Sequence, residues 1–342
     1  QEGAKLGYNP QKPGRPSHTY HTYMIANLRL VLEVEVQAGN KAHSNHSLPG
    51  LMALLNRLPA NCKPEFVRGD IGYGTDKMMK ELEAISQHYL FKLKRSKYVQ
   101  ELIHKHHCLG EWTVVRKDWE AKESSIKLMG WEKERRVVIV RRRLPQESMT
   151  AVEYNVAGQQ EMSFVDDPED IKLYEYSVLV TDLEDDLVSV FYHYRDRADC
   201  ENNFDEMKNQ WGWGGYATQD IKSCQFMSRM IALIYNWWNL FTRLAIPDKH
   251  HEAITSRPLL LSSIGRLTKT NRQRKMMITS THGDTKKLQS IYKRLVQFFN
   301  NLKAIAPQLT LYECWCHILA KAMEKFKDTA RKTEPIKLPL PV

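Results

Sequence analysis

The amino-acid sequence predicts an α/β protein whose first half is rich in strands and whose C-terminal region is helical. Three observations support this fold class. Apolar and polar residues alternate from Leu28 to Val36, which is the period of a strand with one buried face. Residues 65–94 have the order strand, helix, strand, and helical periodicity prevails from about Asp185 onward.

The first elements of the chain are a loop, a strand and a helix. Residues 1–18 carry three prolines among small and basic residues, which predicts an extended loop. The alternating segment Leu28 to Val36 is the first predicted strand, and Leu48 to Leu58 is the first predicted helix.

A carboxylate follows the next predicted strand. Glu65 to Asp70 has the pattern of a short strand, and Gly72 and Gly74 separate it from a predicted helix at about Asp76 to Ser86. A further strand is predicted at Tyr89 to Lys94. Open α/β sheets place their functional sites at the carboxyl ends of strands, so Asp70 is a candidate site residue. A turn aspartate without chemical function is the alternative.

Residues 97–180 contain several short apolar segments separated by polar residues, glycine or proline, which predicts an inserted β-rich lobe. The region contains both clustered basic residues and tryptophans, as does a surface that neutralises phosphates and stacks on bases. Core tryptophans beside a solvated basic strand are the alternative. The predicted strands are Thr113 to Val115, Ser125 to Trp131, Arg135 to Arg143, Val152 to Val156 and Leu173 to Val180.

The rest of the chain is predicted to be helical. Asp182, Glu184, Asp185 and Asp186 gather where a helix amino terminus favours negative charge, and that helix is predicted to continue to Asn209. Three further helices and one basic loop are expected, at Ile221 to Leu244, Lys286 to Ile305 and Leu309 to Phe326, with the loop at Thr268 to Lys275.

Composition limits the class of protein. The chain has 342 residues, 42% apolar content and a formal net charge of +10, which indicates a folded protein that favours polyanionic partners. Six scattered cysteines without paired spacing predict free thiols and a reducing cytoplasm. The most apolar stretch, Phe226 to Phe241, is too short and too polar for a bilayer span, so no membrane association is expected. His104 to Cys108 carry zinc-type ligands, but no second ligand pair stands at a familiar spacing, so the sequence does not favour a metal site there.

Four chemically active side chains fall on one stripe of the predicted helix that begins near Asp185. At about 100° per residue, Arg197, Glu201 and Lys208 all lie within about 60° of Tyr194. A purely structural helix shows an apolar stripe there. The alternative is a solvated face on which Arg197 and Glu201 form a surface ion pair.

The spacing of these four residues resembles the Tyr-Arg-Glu-Lys signature of bacterial insertion-sequence transposases of the DDE type. Two residues separate Tyr194 from Arg197, three separate Arg197 from Glu201, and six separate Glu201 from Lys208. Flanking segments are similar as well, in the same order along residues 1 to about 245. They are GYNPQKPGRPSH at Gly7 to His18, the strand end Val67 to Asp70, and Val178 to Asp182.

The resemblance implies an RNase H-like catalytic core interrupted by a β-rich insertion. It implies that Asp70 and Glu201 are catalytic ligands of two Mg²⁺ ions, with Mn²⁺ as a substitute, and that Tyr194, Arg197 and Lys208 bind DNA. The core would comprise residues 1–96 and 181–245, the insertion 97–180 and the helical region 246–342. The implied activity is metal-dependent cleavage at transposon ends and strand transfer, by a protein that is dimeric on double-stranded DNA and associated with the nucleoid.

One feature departs from the family pattern. The family's first aspartate lies on a strand before the GYNP-like loop, and only Glu2, within the loop, is acidic there. We therefore expect that the chain is truncated, that it lacks the first strand and the first catalytic aspartate, and that it does not cleave DNA as given. A non-catalytic DNA-binding remnant and a stand-alone nuclease are the alternatives.

Overall fold

The computed structural model describes residues 2–7, 13–41, 44–144, 169–196, 198–248, 250–261, 264–270, 273–279 and 285–324. The chain divides into two compact units. One combines Gln1–Asn27 with Glu35–Glu201, and the other combines Leu28–Val34 with Asn202–Val342. Among the described helices, none has both the length and the apolar character that crossing a bilayer requires.

Two strands near the start of the chain form a small sheet of their own. They are β1 (His18–Ile25) and β2 (Leu30–Ala38). The predicted strand Leu28 to Val36 is therefore confirmed with a shift of two residues. Strand β1 falls at the end of the predicted loop and was not expected, because its apolar residues do not alternate. Its threonines and tyrosines nevertheless have high strand propensity.

Six strands form the main sheet, in the order β3-β4-β8-β7-β6-β5. Strands β3 and β4 are parallel, and every other neighbouring pair is antiparallel. Strands β5 to β8, expected in an inserted lobe, therefore continue the sheet of β3 and β4. The strands are β3 (Phe66–Gly69), β4 (His88–Lys92), β5 (Thr113–Arg116), β6 (Trp119–Ile126), β7 (Arg135–Arg143) and β8 (Tyr174–Thr181).

Helices cover both faces of this sheet, and the alternation along each strand explains why. On β4, Tyr89 and Phe91 pack into one core, whereas Leu90 packs into the other. The first core is shared with three helices and the second with one. The three are α1 (Ser44–Arg57), α2 (Asp76–Ala84) and α3 (Lys97–Leu109), and the single helix is α4 (Leu187–Arg195).

One strand prediction for residues 97–180 was wrong, another lies outside the described residues, and a helix that was not predicted begins the region. Helix α3 occupies the start of this region, because Val99 and Ile103 share one buried face and Gly110 ends the helix with a φ of 67°. The strand predicted at Ser125 to Trp131 ends at Ile126, before a turn at Met129 and Gly130. The strand predicted at Val152 to Val156 is the one outside the described residues.

The helix predicted to run from Asp185 to Asn209 is two helices. Asp186 caps α4 by accepting hydrogen bonds from the backbone N–H groups of Val188 and Ser189. Asp196 lies in a turn after α4, and α5 (Ala198–Gln210) follows. The prediction of one continuous stripe was therefore wrong, since Tyr194 belongs to α4 and Glu201 to α5.

The second unit is mainly helical, as predicted. Its apolar core includes Leu240, Ile291, Leu295 and Phe298. The basic loop predicted at Thr268 to Lys275 is instead a hairpin. The elements are α6 (Ile221–Ala245), α7 (Ala253–Leu261), β9 (Ile264–Thr270), β10 (Gln273–Thr279), α8 (Thr285–Ile305) and α9 (Leu311–Ala322).

Amide side chains of α6 bind the backbone of β2 and of the two residues before it in this unit. Asn236 donates to the carbonyl of Val31 at 2.7 Å and accepts from the Val31 N–H at 2.8 Å. Asn239 donates to the carbonyls of Leu28 and Arg29. These contacts satisfy backbone groups at a strand edge without another strand.

Candidate functional site

A cleft of about 230 Å³ contains two of the residues that the sequence singled out, Tyr194 and Glu201. Tyr194 lies near the end of α4, and Glu201 lies in the first half of α5 and is exposed. The cleft is on the face of the main sheet that α4 covers. Its lining comprises Lys92, Trp119, Val140, Glu175, Ser177, Leu179, Phe191, Tyr194, Arg195 and Glu201.

Asp70 is related to this cleft through the register of β3 and β4. Gly69 is paired with Phe91 in parallel register, so the next residues along the two strands are Asp70 and Lys92. Lys92 lines the cleft, and Asp70 directly follows the last paired residue of β3. Asp70 is exposed and begins a turn, in which its carbonyl accepts a hydrogen bond from the N–H of Tyr73.

A side chain ties β3 to the end of α4. Arg68, two residues before Asp70, donates a hydrogen bond to the carbonyl of His193, the residue before Tyr194. The rings of Phe66 and His193 also pack together, with centroids 5.1 Å apart. The strand that leads to Asp70 and the helix end that carries Tyr194 are therefore held against each other.

Gly69 is required by the close packing just before Asp70. A Cβ atom there would lie 2.8 Å from Cβ of Tyr73 and 3.0 Å from Cδ1 of Phe91. Such contacts are shorter than real side chains make, and the ring of Tyr73 stacks on that of Phe91. The strand end can therefore turn toward Asp70 only if residue 69 has no side chain.

The other two signature residues are not in the cleft lining. Lys208 lies in the last turn of α5 and is exposed. It shares α5 with Glu201 and is seven residues away, a spacing that leaves both side chains on nearly the same side of a helix. Arg197 lies outside the described residues.

Asp70 and Glu201 have the donor chemistry that a divalent cation requires. Both are exposed carboxylates, and hard oxygen ligands suit Mg²⁺. In the part of the chain that the structure describes, no group of three or more His, Cys, Asp or Glu side chains is arranged to hold a metal. Asp70 and Glu201 therefore have the ligand chemistry of a metal site, and their convergence stays a prediction.

A larger cleft, of about 610 Å³, lies at the opposite end of β4 and β8. Its lining carries seven carboxylates, among them Asp182 and Asp186, against three basic side chains. Clustered negative charge repels a phosphate backbone, so this cleft is a poor site for nucleic acid although it is larger.

The histidines that raised the zinc hypothesis have structural partners. His106 is hydrogen-bonded to Ser124 at 2.8 Å, and His107 to the hydroxyl of Tyr176 at 2.7 Å. These hydrogen bonds support a structural role for both. None of the described cysteines forms a disulfide.

A comparison with models of protein families matches the chain to a model described as transposase DDE domain group 1, over residues 19–300. That range is more than four fifths of the chain. The chain belongs to this transposase family. A search among curated proteins finds no match. The DDE domain therefore belongs to a family of enzymes that act on DNA, and such enzymes generally use divalent metal ions.

Buried polar contacts hold the second half of α5 in the DDE domain. Glu206, 1% exposed, accepts hydrogen bonds from the side chain of His250 at 3.2 Å and from the N–H of Ala253 at 3.0 Å. Burial alone would raise the pKa of this carboxyl, but the hydrogen bonds outweigh it and lower the pKa. Arg257 donates to the carbonyl of Gln210, the last residue of α5. These contacts fix the helix on which Glu201 and Lys208 lie.

Lys92 and Arg195 line the cleft of the DDE domain, and sequence reasoning did not single them out. Lys92 is the last residue of β4, and the alternation Tyr89, Leu90, Phe91, Lys92 could have indicated its face. Arg195 follows Tyr194 directly and is outside the signature spacing. Their common position depends on pairing between distant segments, which the spacing of a motif does not reveal.

Proposed function

We propose that this chain is the catalytic part of a cut-and-paste transposase with an RNase H-like core, which cleaves DNA at transposon ends and transfers the freed strand. The observation that carries the proposal is the cleft that contains Tyr194, Glu201 and Lys92. Lys92 follows Phe91, which is paired with Gly69, the residue before Asp70. Family membership supplies the reaction class.

In this proposal the carboxylates of Asp70 and Glu201 converge and hold divalent cations, Mg²⁺ or in its place Mn²⁺. Such ions activate the attacking oxygen and stabilise the leaving oxygen of a phosphodiester. The residues of the chain bind and orient the DNA. Lys92 and Lys208 supply point charges for phosphates, and Arg197 supplies a bidentate fork. Tyr194 forms the wall of the cleft beside Glu201.

A second candidate function is DNA binding without cleavage. The net charge of +10 is sufficient for that activity, and two carboxylates are fewer than the three that the family uses. A stand-alone nuclease would cleave but would not transfer strands. In the proposed function the protein acts as a homodimer on its DNA.

The experiment is a cleavage and strand-transfer assay in Mg²⁺ on a plasmid that bears the ends of the element encoding this protein. We expect the full-length protein that the element encodes to cleave the ends and to join them to target DNA. Asp70→Asn and Glu201→Gln should each lower the cleavage rate at least about 100-fold, because in-line displacement is sensitive to small errors of position. Glu184→Gln, which neutralises an exposed carboxylate in the larger acidic cleft, is the matched control.

Each other outcome selects an alternative. Specific binding without cleavage in either Mg²⁺ or Mn²⁺ would support the DNA-binding candidate. Cleavage without joining would support the nuclease. Cleavage that survives both Asp70→Asn and Glu201→Gln would refute the site assignment.

A further inference from the structure

Two arginines flank Trp119 in a row across the main sheet. In the antiparallel register, Arg116 of β5 is opposite Trp119 of β6, and Trp119 is opposite Arg142 of β7. The row continues to Glu175 of β8. Regularly paired residues of antiparallel strands, here Trp119, Arg142 and Glu175, project from the same face. Trp119 packs on Phe191 of α4, so this is the face of the cleft that contains Glu201. Arg116 follows a β-bulge in β5, and its positive charge acts on Arg195, which contacts the ring of Trp119.

A third arginine reaches the same ring from α4. The guanidinium carbon of Arg195 lies 5.0 Å from the centroid of Trp119, and that of Arg142 lies 5.4 Å from it. Both distances are in the range of cation–π contacts. Trp119 is therefore a platform that holds two guanidinium groups, with Arg116 as its neighbour on the adjacent strand.

The charges of these three arginines are not neutralised, unlike those of three arginines of β7. Arg135, Arg136 and Arg141 each form an ion pair with a glutamate. In the described part of the chain, Arg116, Arg142 and Arg195 form no ion pair. The exposed Arg143 at the end of β7 forms no ion pair among the described residues either. Glu175 is paired with Arg142 across the strands, and Asp196 follows Arg195 in the chain. Among the described residues, neither carboxylate forms an ion pair with these arginines.

Gathering three unneutralised cations is unfavourable unless an anion joins them. Partial burial and the positive charges of Arg116 and Arg142 lower the pKa of Arg195. A guanidinium remains charged even so, and its planar fork suits phosphate oxygens. The free energy lost by repulsion in the isolated protein is recovered when a polyanion binds.

We propose that Arg116, Arg142 and Arg195, arranged on Trp119, form a binding site for backbone phosphates of the DNA strand that enters the Glu201 cleft. The identity of the anion as DNA rests on the proposed function. The location of the site makes it a binding site rather than part of the reacting centre. On β8, Glu175 is opposite Arg142 and Leu179 is opposite Lys92. The two β8 residues are four positions apart, which is about 14 Å along a strand.

The test is a salt titration of DNA affinity, measured by fluorescence anisotropy with a labelled duplex of arbitrary sequence about 30 base pairs long. We expect Arg142→Gln/Arg195→Gln to lower the slope of log affinity against log salt by about 1.8, which corresponds to two phosphates. Between about 50 and 200 mM salt, the variant should lose about twelvefold less affinity than the wild type does.

The matched control is Lys77→Gln/Lys105→Gln, which also removes two positive charges. Both lysines are exposed, on α2 and α3, which cover the other face of the sheet. The control should keep the wild-type slope. The single variant Arg142→Gln changes only an exposed side chain, so it should fold as the wild type does, and circular dichroism checks this. Its salt slope should fall by about 0.9.

An unchanged slope in both arginine variants, or an equal fall in the lysine control, would overturn the site. Cleavage kinetics separate this result from the proposed function. If the site is correct, the arginine variants raise KM and leave kcat near the wild-type value. If the wild type cleaves in a Glu201-dependent manner while the slopes are unchanged, only this inference fails. If the slopes fall and no variant or wild type cleaves, the phosphate site stands and the proposed function fails.

Discussion

Asn236 and Val31 exchange two hydrogen bonds, one in each direction, so a side chain of α6 pairs with β2 as another strand would. We expect Asn236→Leu to lower the free energy of unfolding by about 2–3 kcal/mol, because two backbone groups are left without partners. Denaturant unfolding measures the change. Asn209→Leu, which removes one exposed hydrogen bond to Asp205, should stay within about 0.5 kcal/mol of the wild type. Equal losses of unfolding free energy in the two variants would mean that the hydrogen bonds between Asn236 and Val31 add no more stability than an exposed hydrogen bond.

Arg135 is the buried centre of an ion-pair cluster, and its replacement should be costly. Its side chain is 2% exposed and binds Asp76 at 2.7 Å and Glu83 at 2.9 Å. We expect Arg135→Gln to destabilise the fold by about 3–5 kcal/mol, since two carboxylates are deprived of their main partner. Lys133→Gln removes an exposed partner of the same Glu83 and should cost less than about 1 kcal/mol. The idea fails if thermal or denaturant unfolding gives the two variants similar losses.

Glu206 should make stability depend on pH in the acidic range. Its folded pKa lies below the ordinary value of 4.5, so its contribution to stability is complete above that pH and is lost as pH falls below it. At neutral pH, Glu206→Gln should cost about 1–3 kcal/mol. The difference from the wild type should shrink in acid. Unfolding midpoints at several pH values test this, with the exposed Glu101→Gln as control. A difference that is constant with pH would contradict it.

Arg197 and Lys208 are predicted to bind phosphates of the DNA. Replacement of either by Ala should weaken binding to end DNA and lower the salt slope by about one for each phosphate that the variant no longer binds. Lys105→Ala, on the other face of the main sheet, should leave the slope unchanged. If the slope in either signature variant equals that of the wild type, the residue is only part of a surface ion pair.

Asp70 is predicted to touch the metal directly. Asp70→Cys should lose cleavage in Mg²⁺ and regain at least about tenfold in Mn²⁺, because a thiolate is a poor ligand for the harder ion. Asp70→Ala offers no ligand and is the matched control, which Mn²⁺ should not restore. Equal behaviour of the two variants in both metals would argue that Asp70 acts without contacting the ion.

The local sequence pattern was sufficient to predict the bounds of several elements of the fold. Strand β7 begins and ends as predicted, because four consecutive apolar residues lie between arginines. Helix α6 differs from its prediction by one residue. The break between α4 and α5 was missed, because neither Asp196 nor its neighbours have a residue type that interrupts a helix. The hairpin of β9 and β10 was missed because its basic residues suggested a loop.

The candidate site was predictable only in part. Tyr194 and Glu201 line one cleft, and the signature spacing indicated both. Lys92, Arg142 and Arg195 were identified through strand register and ring contacts, which depend on pairing across long sequence separations. The convergence of Asp70 with Glu201 stays a prediction.

Gly69 changes how genetic data on this protein should be interpreted. The Cβ atom of an alanine at this position would lie 2.8 Å from Cβ of Tyr73, so even alanine would displace the strand end that leads to Asp70. In a random mutagenesis screen, loss-of-function variants at residue 69 should therefore be as frequent as those at residue 70. The first group reports a failure of packing, and the second a failure of chemistry. Among natural relatives, the two neighbouring positions should be equally intolerant of substitution for these unrelated reasons.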